Sequence, residues 1–402
     1  MFCSSPPQSI IMNQMESPPQ PSLFELFRSF FRLGLTAFGG PSMVAYIRNL
    51  SVDQKGWLDK ESFNQGVALC QMIPGATAMQ STAYVGLRTR GVRGAAVSFI
   101  GFGIPAFLIM IVAAAAYTYT QHLSVVVSAF SGLQAIIVAL IANATLSFGS
   151  TTLKNWRHFV IAGAAAALFG LNISPFVVIL VSAVGGFLLI KSKQSTSDLT
   201  FHTTPIPSTI RQIIGIILVV VLGLLLLFFI RSDLFNLSTL FLRIDLFAFG
   251  GGFASVPLMY NEVVEVRHWM DNATFLNGIA LGQVTPGPIV ITATFIGYLL
   301  YGPVGGVIAT ISIFLPSFIL VVGIAPYFDR LRSSRYFNQV IQGVLCSFVG
   351  LLFTVTIRFA LNVHWDIPHI LLGVAAMIAL LLKVDILWVV LVGILLSIIF
   401  IH

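Results

Sequence analysis

Two nine-residue stretches carry the same residue types at the same spacing inside apolar surroundings: QMIPGATAM at 71–79 and QVTPGPIVI at 283–291. A proline inside a helix removes a donor and crowds the carbonyl four residues back, and an adjacent glycine lets the chain leave helical geometry. Helix breaks are therefore expected at Pro74-Gly75 and at Pro286-Gly287. Beyond a break, the first N–H groups of the next half-helix lack partners. They stand at the positive end of a dipole of roughly +0.5 charge, where anions bind. Gln71 and Gln283 add amide donors three residues before the prolines, and Thr77 and Thr285 add hydroxyls. Such a set suits a tetrahedral dianion. Packing is the competing reading, because Gly and Pro are frequent in membrane helices, where Gly permits close approach and Pro kinks. Ala76 stands where the second stretch has Pro288, so the first break is expected to be the milder one.

Two further elements repeat. FGGP holds Gly39 and Gly40, and FGGG holds Gly250, Gly251 and Gly252; each is either a second substrate-facing unwinding or a close helix contact. Arg32 and Arg243 precede the Phe of these elements by six residues. A guanidinium can grip two oxygens of a dianion, while snorkelling to the interface is the alternative. Of 14 acidic residues, Asp245 alone sits well inside an apolar run, two residues from Arg243. It is expected to act as a charge partner or a coupling group, since an ion within the membrane is costly and usually functional. One such carboxylate argues against cation transport.

The elements that position these residues are membrane helices. The chain has 402 residues, 57% hydrophobic and 9% charged, with a mean hydropathy of +0.95. A soluble domain carries about 25% charged residues. Apolar runs fall near 24–47, 63–87, 94–120, 123–148, 157–172, 174–190, 213–230, 234–260, 273–299, 303–328, 337–360, 367–382 and 384–401. The expected fold is an all-α polytopic membrane protein with about thirteen spans, the pairs in 157–190 and 367–401 being short for full crossings. Of 21 basic residues, Arg243 and Arg358 lie within runs and Arg48, Lys55, Lys60 and Arg231 fall outside; the other fifteen fall on the cytoplasmic side if the N-terminus is cytoplasmic. The net charge of +7 thus reads as a topology signal, with no nucleic acid required.

The chain repeats itself at an offset of 211, with a one-residue shift across 46–85. FFRLGLTAFGGP (30–41) aligns with FLRIDLFAFGGG (241–252), and ALCQMIPGA (68–76) with ALGQVTPGP (280–288). The expected division is a disordered tail at 1–22, a first repeat at 23–192, a linker at 193–232 with an extra helix at 213–230, and a second repeat at 233–402. Six segments plus the linking helix invert the second copy, a common plan of secondary transporters.

The FGGP/FGGG element, the Q-x-x-P-G motifs, the later G-x-x-G followed by Leu/Ile-Pro, and the two-copy arrangement resemble the chromate ion transporter family over roughly 24–190 and 234–400. The resemblance implies a long-chain, two-repeat member in the inner or plasma membrane. Its expected activity is export of chromate or a related oxyanion, driven by membrane potential or protons, with chromate resistance as the outcome. Sulfate matches chromate in size and charge, so a sulfate carrier or a passive anion channel stays open, as does a homodimer. An intramembrane enzyme has little support: there is no GxSxG, HExxH or paired carboxylate. Three cysteines and seven scattered histidines offer no metal site, and no cofactor is expected.

Overall fold

The computed structural model describes residues 20–39, 42–190 and 207–401, and among these every element is helical. Backbone in hydrocarbon must satisfy its own polar groups, which helices do within one segment. Residues 1–19 of the expected tail and 193–206 of the expected linker lie outside the described residues.

Helix α1 (Leu23–Thr36) starts at Ser22, whose side chain accepts the Glu25 amide at 3.0 Å. After the FGG element, α2 (Ser42–Arg48) continues into a π-helical turn, Asn49–Gln54. It runs back along α1: Lys55 Nζ meets Glu25 Oε1 at 2.8 Å, and the rings of Phe30 and Trp57 lie 6.2 Å apart. The pair is a hairpin with FGG at its tip.

A second hairpin follows. Asp59 caps α3 (Lys60–Met72) by accepting the Ser62 amide at 2.8 Å. Ile73, held extended by the proline after it, ends the helix at φ −98°, ψ 152°. The chain returns in α4 (Thr77–Thr120), and a Cβ on Gly66 would stand 2.2 Å from the Tyr84 ring. Only glycine lets the two helices approach so closely. Helix α4 then reverses at Arg90 and Gly91, the latter at φ 64°. The Gly94 carbonyl lies 2.2 Å from where a Gly86 Cβ would be, whereas eight residues of straight helix would separate them by about 12 Å. Thus α4 is two antiparallel limbs, 77–89 and 92–120.

Helix α5 (Ser124–Thr152) returns across the bundle. Helices α6 (Trp156–Gly170) and α7 (Pro175–Leu189) form a hairpin whose ends meet where Arg157 Nη1 donates to the Leu189 carbonyl at 2.9 Å. Helix α8 (Pro207–Ile230) links the copies and packs only lightly. The order then recurs. It runs through α9 (Ser232–Phe247), α10 (Ser255–Tyr260) with its π-helical turn Asn261–Val266, and α11 (Asn272–Val284). It continues with α12 (Thr292–Ile324), the short α13 (Phe328–Ser333), α14 (Arg335–Asn362), α15 (Ile367–Leu381) and α16 (Ile386–Phe400). Backbone geometry repeats closely: Gly302 (φ 63°, ψ −156°) matches Gly91 (φ 64°, ψ −157°). The copies interlock, with α5 against α15 and α16, and α14 against α6 and α7.

Among the described residues five helices are long and apolar enough to cross a membrane: α4, α5, α8, α12 with the turns flanking it, and α14. This differs from the thirteen crossings expected. The runs 24–47, 63–87, 234–260 and 273–299 turn back at their tips. Thirteen residues of α3 rise about 20 Å, short of the ~30 Å hydrocarbon core. A hydropathy window scores a doubled-back chain and a crossing alike. The turns also move charges. Lys55, bound to Glu25, and Lys60, at the base of the next hairpin, stand on the side of the N-terminus, not opposite it. Arg267 ends the second π-helical turn as Lys55 ends the first, so it stands at the base of its hairpin beside the start of α9, with Arg231.

Candidate functional site

The four hairpin tips meet, and they close one another reciprocally. The Gly75 N–H donates to the Ala248 carbonyl at 2.9 Å, and the Gly287 N–H donates to the Ala37 carbonyl at 2.9 Å. Ala37 and Ala248 are equivalent in the repeat, as are Gly75 and Gly287. The P-G tip of each copy therefore satisfies the last carbonyls of the other copy's broken FGG helix. Gly75 (φ 118°) and Gly287 (φ 108°) sit in the left-handed region that favours glycine.

Around this clasp the expected residues separate into those at the tips and those away from them. Pro74, Pro286 and Pro288 are buried there. Both breaks are complete, because each helix ends before its proline whether Ala76 or Pro288 follows the glycine. Thr77 starts α4 with no side-chain cap before it, so the first N–H groups of that helix have no acceptor within it. Its Oγ1 lies 3.3 Å from the position of a Gly251 Cβ. Gly39, Gly250 and Gly251 all have positive φ, and a Cβ on Gly250 would stand 2.5 Å from the Phe148 ring. The FGG elements are thus both unwound and tightly packed. Gly40 lies outside the described residues. Gln283 is buried with its Nε2 unpartnered, whereas Gln71 is exposed. The Thr285 hydroxyl donates to the Gly282 carbonyl at 3.2 Å.

The charged residues do not form the expected pair. Two residues apart on a helix, side chains point about 160° apart, toward nearly opposite faces. Arg243 Nη2 meets Glu262 Oε1 at 2.6 Å, with its guanidinium 4.2 Å from the Phe176 ring centroid. Asp245 turns the other way, is fully buried, and accepts from the amide and the hydroxyl of Ser317, each at 2.8 Å. The Ser317 hydroxyl also accepts the Ala76 N–H at 3.0 Å. A chain of hydrogen bonds thus runs from the first P-G tip through α12 to Asp245, whose Oδ1 has no partner. Arg32 is exposed on α1. Neither arginine stands at the clasp.

Two tip residues escaped the sequence reading. Gln80, fully buried, donates from Nε2 to the Pro74 carbonyl at 2.6 Å and leaves Oε1 unpartnered. Ser317 is the other. Gln80 lies nine residues after Gln71 with no equivalent glutamine in the second copy, so the repeat gave no signal for it. Among the described residues no group of three or more His, Cys, Asp or Glu could hold a metal.

The two copies are not in the same state. On α3, Lys60, Glu61, Asn64 and Gln71 form an exposed polar stripe down one helix face. The equivalent stripe on α11 is covered below Ala273, at Leu276, Asn277, Ala280 and Gln283. A lock covers it. Gln134 Nε2 donates to Asn277 Oδ1 at 3.2 Å, Asn277 Nδ2 donates to the Tyr117 hydroxyl at 3.1 Å, and the Tyr117 ring meets Phe130 and Phe295 edge-on. Beside it Ser131 Oγ lies 2.9 Å from His369 Nε2, and His369 Nδ1 lies 2.5 Å from Asp366 Oδ1. Helix α11 packs on α5 and α16, and α3 has no comparable packing on α14 or α7. One face of the clasp is reached by a polar track and the other is shut.

The profile of a family described as chromate transporter matches residues 24–187 and again 235–398, two segments related by the offset of 211. An uncharacterized transporter of Methanocaldococcus jannaschii is 44% identical over 386 residues, covering 96% of each chain. A chromate transport protein of Pseudomonas aeruginosa is 29% identical over 369 residues, covering 89% of this chain and 86% of its own. One of Cupriavidus metallidurans is 28% identical over 390 residues, covering 95% and 94%. No solved structure matches.

Proposed function

Because the chain belongs to the chromate transporter family, we propose that it carries chromate or a similar tetrahedral oxyanion through the membrane by way of the four-tip clasp. One observation carries this reading: the broken helices of the two copies meet tip to tip, and the first N–H groups of α4 have no acceptor within that helix. Pro74, Gly75, Pro286, Gly287 and Pro288 break the helices, Gly39, Gly250 and Gly251 unwind the FGG tips, and Gln71, Thr77, Gln283 and Thr285 are the expected neutral donors, with Gln80 added. The division into repeats at 23–192 and 233–402 about a linking helix fits it.

The expected direction is export from the cytoplasm, with the N-terminus inside. Arg88, Arg90, Arg93, Lys55 and Lys60 cluster on the side of the N-terminus, as the positive-inside rule asks. A dianion leaving a negative interior gains about 2.3 kcal/mol per charge per 100 mV, hence roughly 4.6 kcal/mol for chromate. Uptake of labelled chromate into inverted vesicles tests this, with sulfate, molybdate and phosphate as competitors. Saturable uptake slowed by collapse of the potential at constant pH supports it. Indifference to the potential excludes an uncompensated electrogenic step, and linear, non-saturating flux would make the protein a channel.

A further inference from the structure

We propose that a hollow of about 370 Å³ lined by Lys60, Glu61, Asn64, Gln65, Ala68 and Arg332 is a separate capture site for the oxyanion, ahead of the clasp. The proposal rests on the oxyanion reading above and adds a place, a side and two charges to it.

The hollow is built by both repeats, since α3 supplies five of its residues and Arg332 comes from the short helix α13 between α12 and α14. Lys60 and Arg332 have no ion-pair partner among the described residues. The carboxylate that also lines it, Glu61, accepts from Gln65 Nε2 at 3.4 Å. From its floor the exposed stripe of α3 leads to Gln71 and the first P-G tip. Lys60 and Gln71 are eleven residues apart, about 16 Å along the helix. A Lys, an Asn and a Gln facing hydrocarbon over that distance would be costly, so this face lines water.

The repeat supplies an internal control. The inverted equivalents of Lys60, Glu61, Gln65 and Arg332 are Asn272, Ala273, Asn277 and Gln121. Gln121, Ala273 and Asn277 line a corresponding cavity of about 220 Å³ behind the lock. The fold therefore does not require the two cations, because the same scaffold stands without them at the other mouth. Fixed positive charge at a concave mouth raises the local anion concentration. Charge at one mouth and its absence at the other gives capture on the side of the N-terminus and release, without a trap, on the far side.

The test uses full-length protein in vesicles of known orientation, with labelled chromate and labelled sulfate offered to either face. Lys60→Gln and Arg332→Gln should each raise KM from the N-terminal face about threefold, and the pair about tenfold, with the maximal rate kept and KM from the other face unchanged. Raising salt should shrink the difference between wild type and variants, and Lys60→Arg should restore the low KM. An unchanged KM from the N-terminal face in the double variant overturns the capture site while leaving transport intact. A wild-type protein that moves neither anion overturns the oxyanion reading itself, and the capture site with it.

Discussion

Ser317 holds Asp245 by two hydrogen bonds of 2.8 Å, one from its amide and one from its hydroxyl. Their equivalents in the first copy are Ala106 and Gly34, so the polar contact was built into one half alone. Ser317→Ala removes one donor from a buried carboxylate and should cost about 1–3 kcal/mol. Changing Asp245→Ala as well should cost less than the sum of the two single changes, since the remaining group is no longer stranded. Unfolding of detergent-solubilised variants checks this; additive losses would mean that the two side chains are not coupled.

The clasp predicts an order of damage at its glycines. A Cβ on Gly75 would stand 2.1 Å from Ser317 Oγ, and one on Gly287 would stand 2.7 Å from Ala106 Cβ. Both positions also have positive φ. Gly75→Ala and Gly287→Ala should each reduce transport at least about tenfold, with Gly75→Ala the worse. Transport rates normalised to membrane abundance measure it, and wild-type rates in either variant would remove that tip from the pathway.

The prolines test the freed N–H groups separately. Pro74→Ala with Pro286→Ala allows the helices to continue and re-pair their donors. Oxyanion affinity should fall by about tenfold or more in a protein that still folds. Unchanged affinity would leave the breaks as kinks only.

The lock predicts unequal access to equivalent positions. In a cysteine-free background, Ala68→Cys should react with a membrane-impermeant thiol reagent from the N-terminal face, and Ala280→Cys should be protected. Adding Gln134→Ala or Asn277→Ala should increase labelling of Ala280→Cys from the opposite face. Equal labelling of the two sites at the outset would mean that the asymmetry is absent in the membrane.

Acid should weaken the lock at a defined residue. The backbone and side-chain hydrogen bonds of His369 hold the Asp366 carboxyl below its ordinary 3.8. A depressed carboxylate contributes stability that is present above the ordinary value and lost as pH falls through the depressed one. Asp366→Asn should therefore lower thermal stability at neutral pH and flatten its further loss below about pH 4, where wild type and variant converge. The midpoint of unfolding against pH reads the effect; identical acid limbs would assign the loss elsewhere.

Much of this was legible in the residues. The repeat, the helical class and the two breaks all follow from local chemistry, namely apolar length, Pro-Gly pairs and spacing. The hairpins do not, although one signal was there. Asp59-x-x-Ser62 is a helix start, and Pro74 ends that helix after thirteen residues, too few to cross. The partners of Arg243 and Asp245 depend on contacts across 19 and 72 residues, which no local pattern encodes. A shared helix suggested that the two were a pair, and helical geometry sends them apart.

The reciprocal clasp also bears on how the chain is made. Ala37 obtains its donor from Gly287, two hundred and fifty residues later, and α6 and α7 find most of their cover in α14. Until the second repeat is made, the first repeat lacks the partners that close its tips. Insertion therefore comes first and closure last, as a post-insertion step that neither half can complete alone. Two halves synthesised as separate chains should be degraded singly and rescued together, each serving as the template on which the other sets.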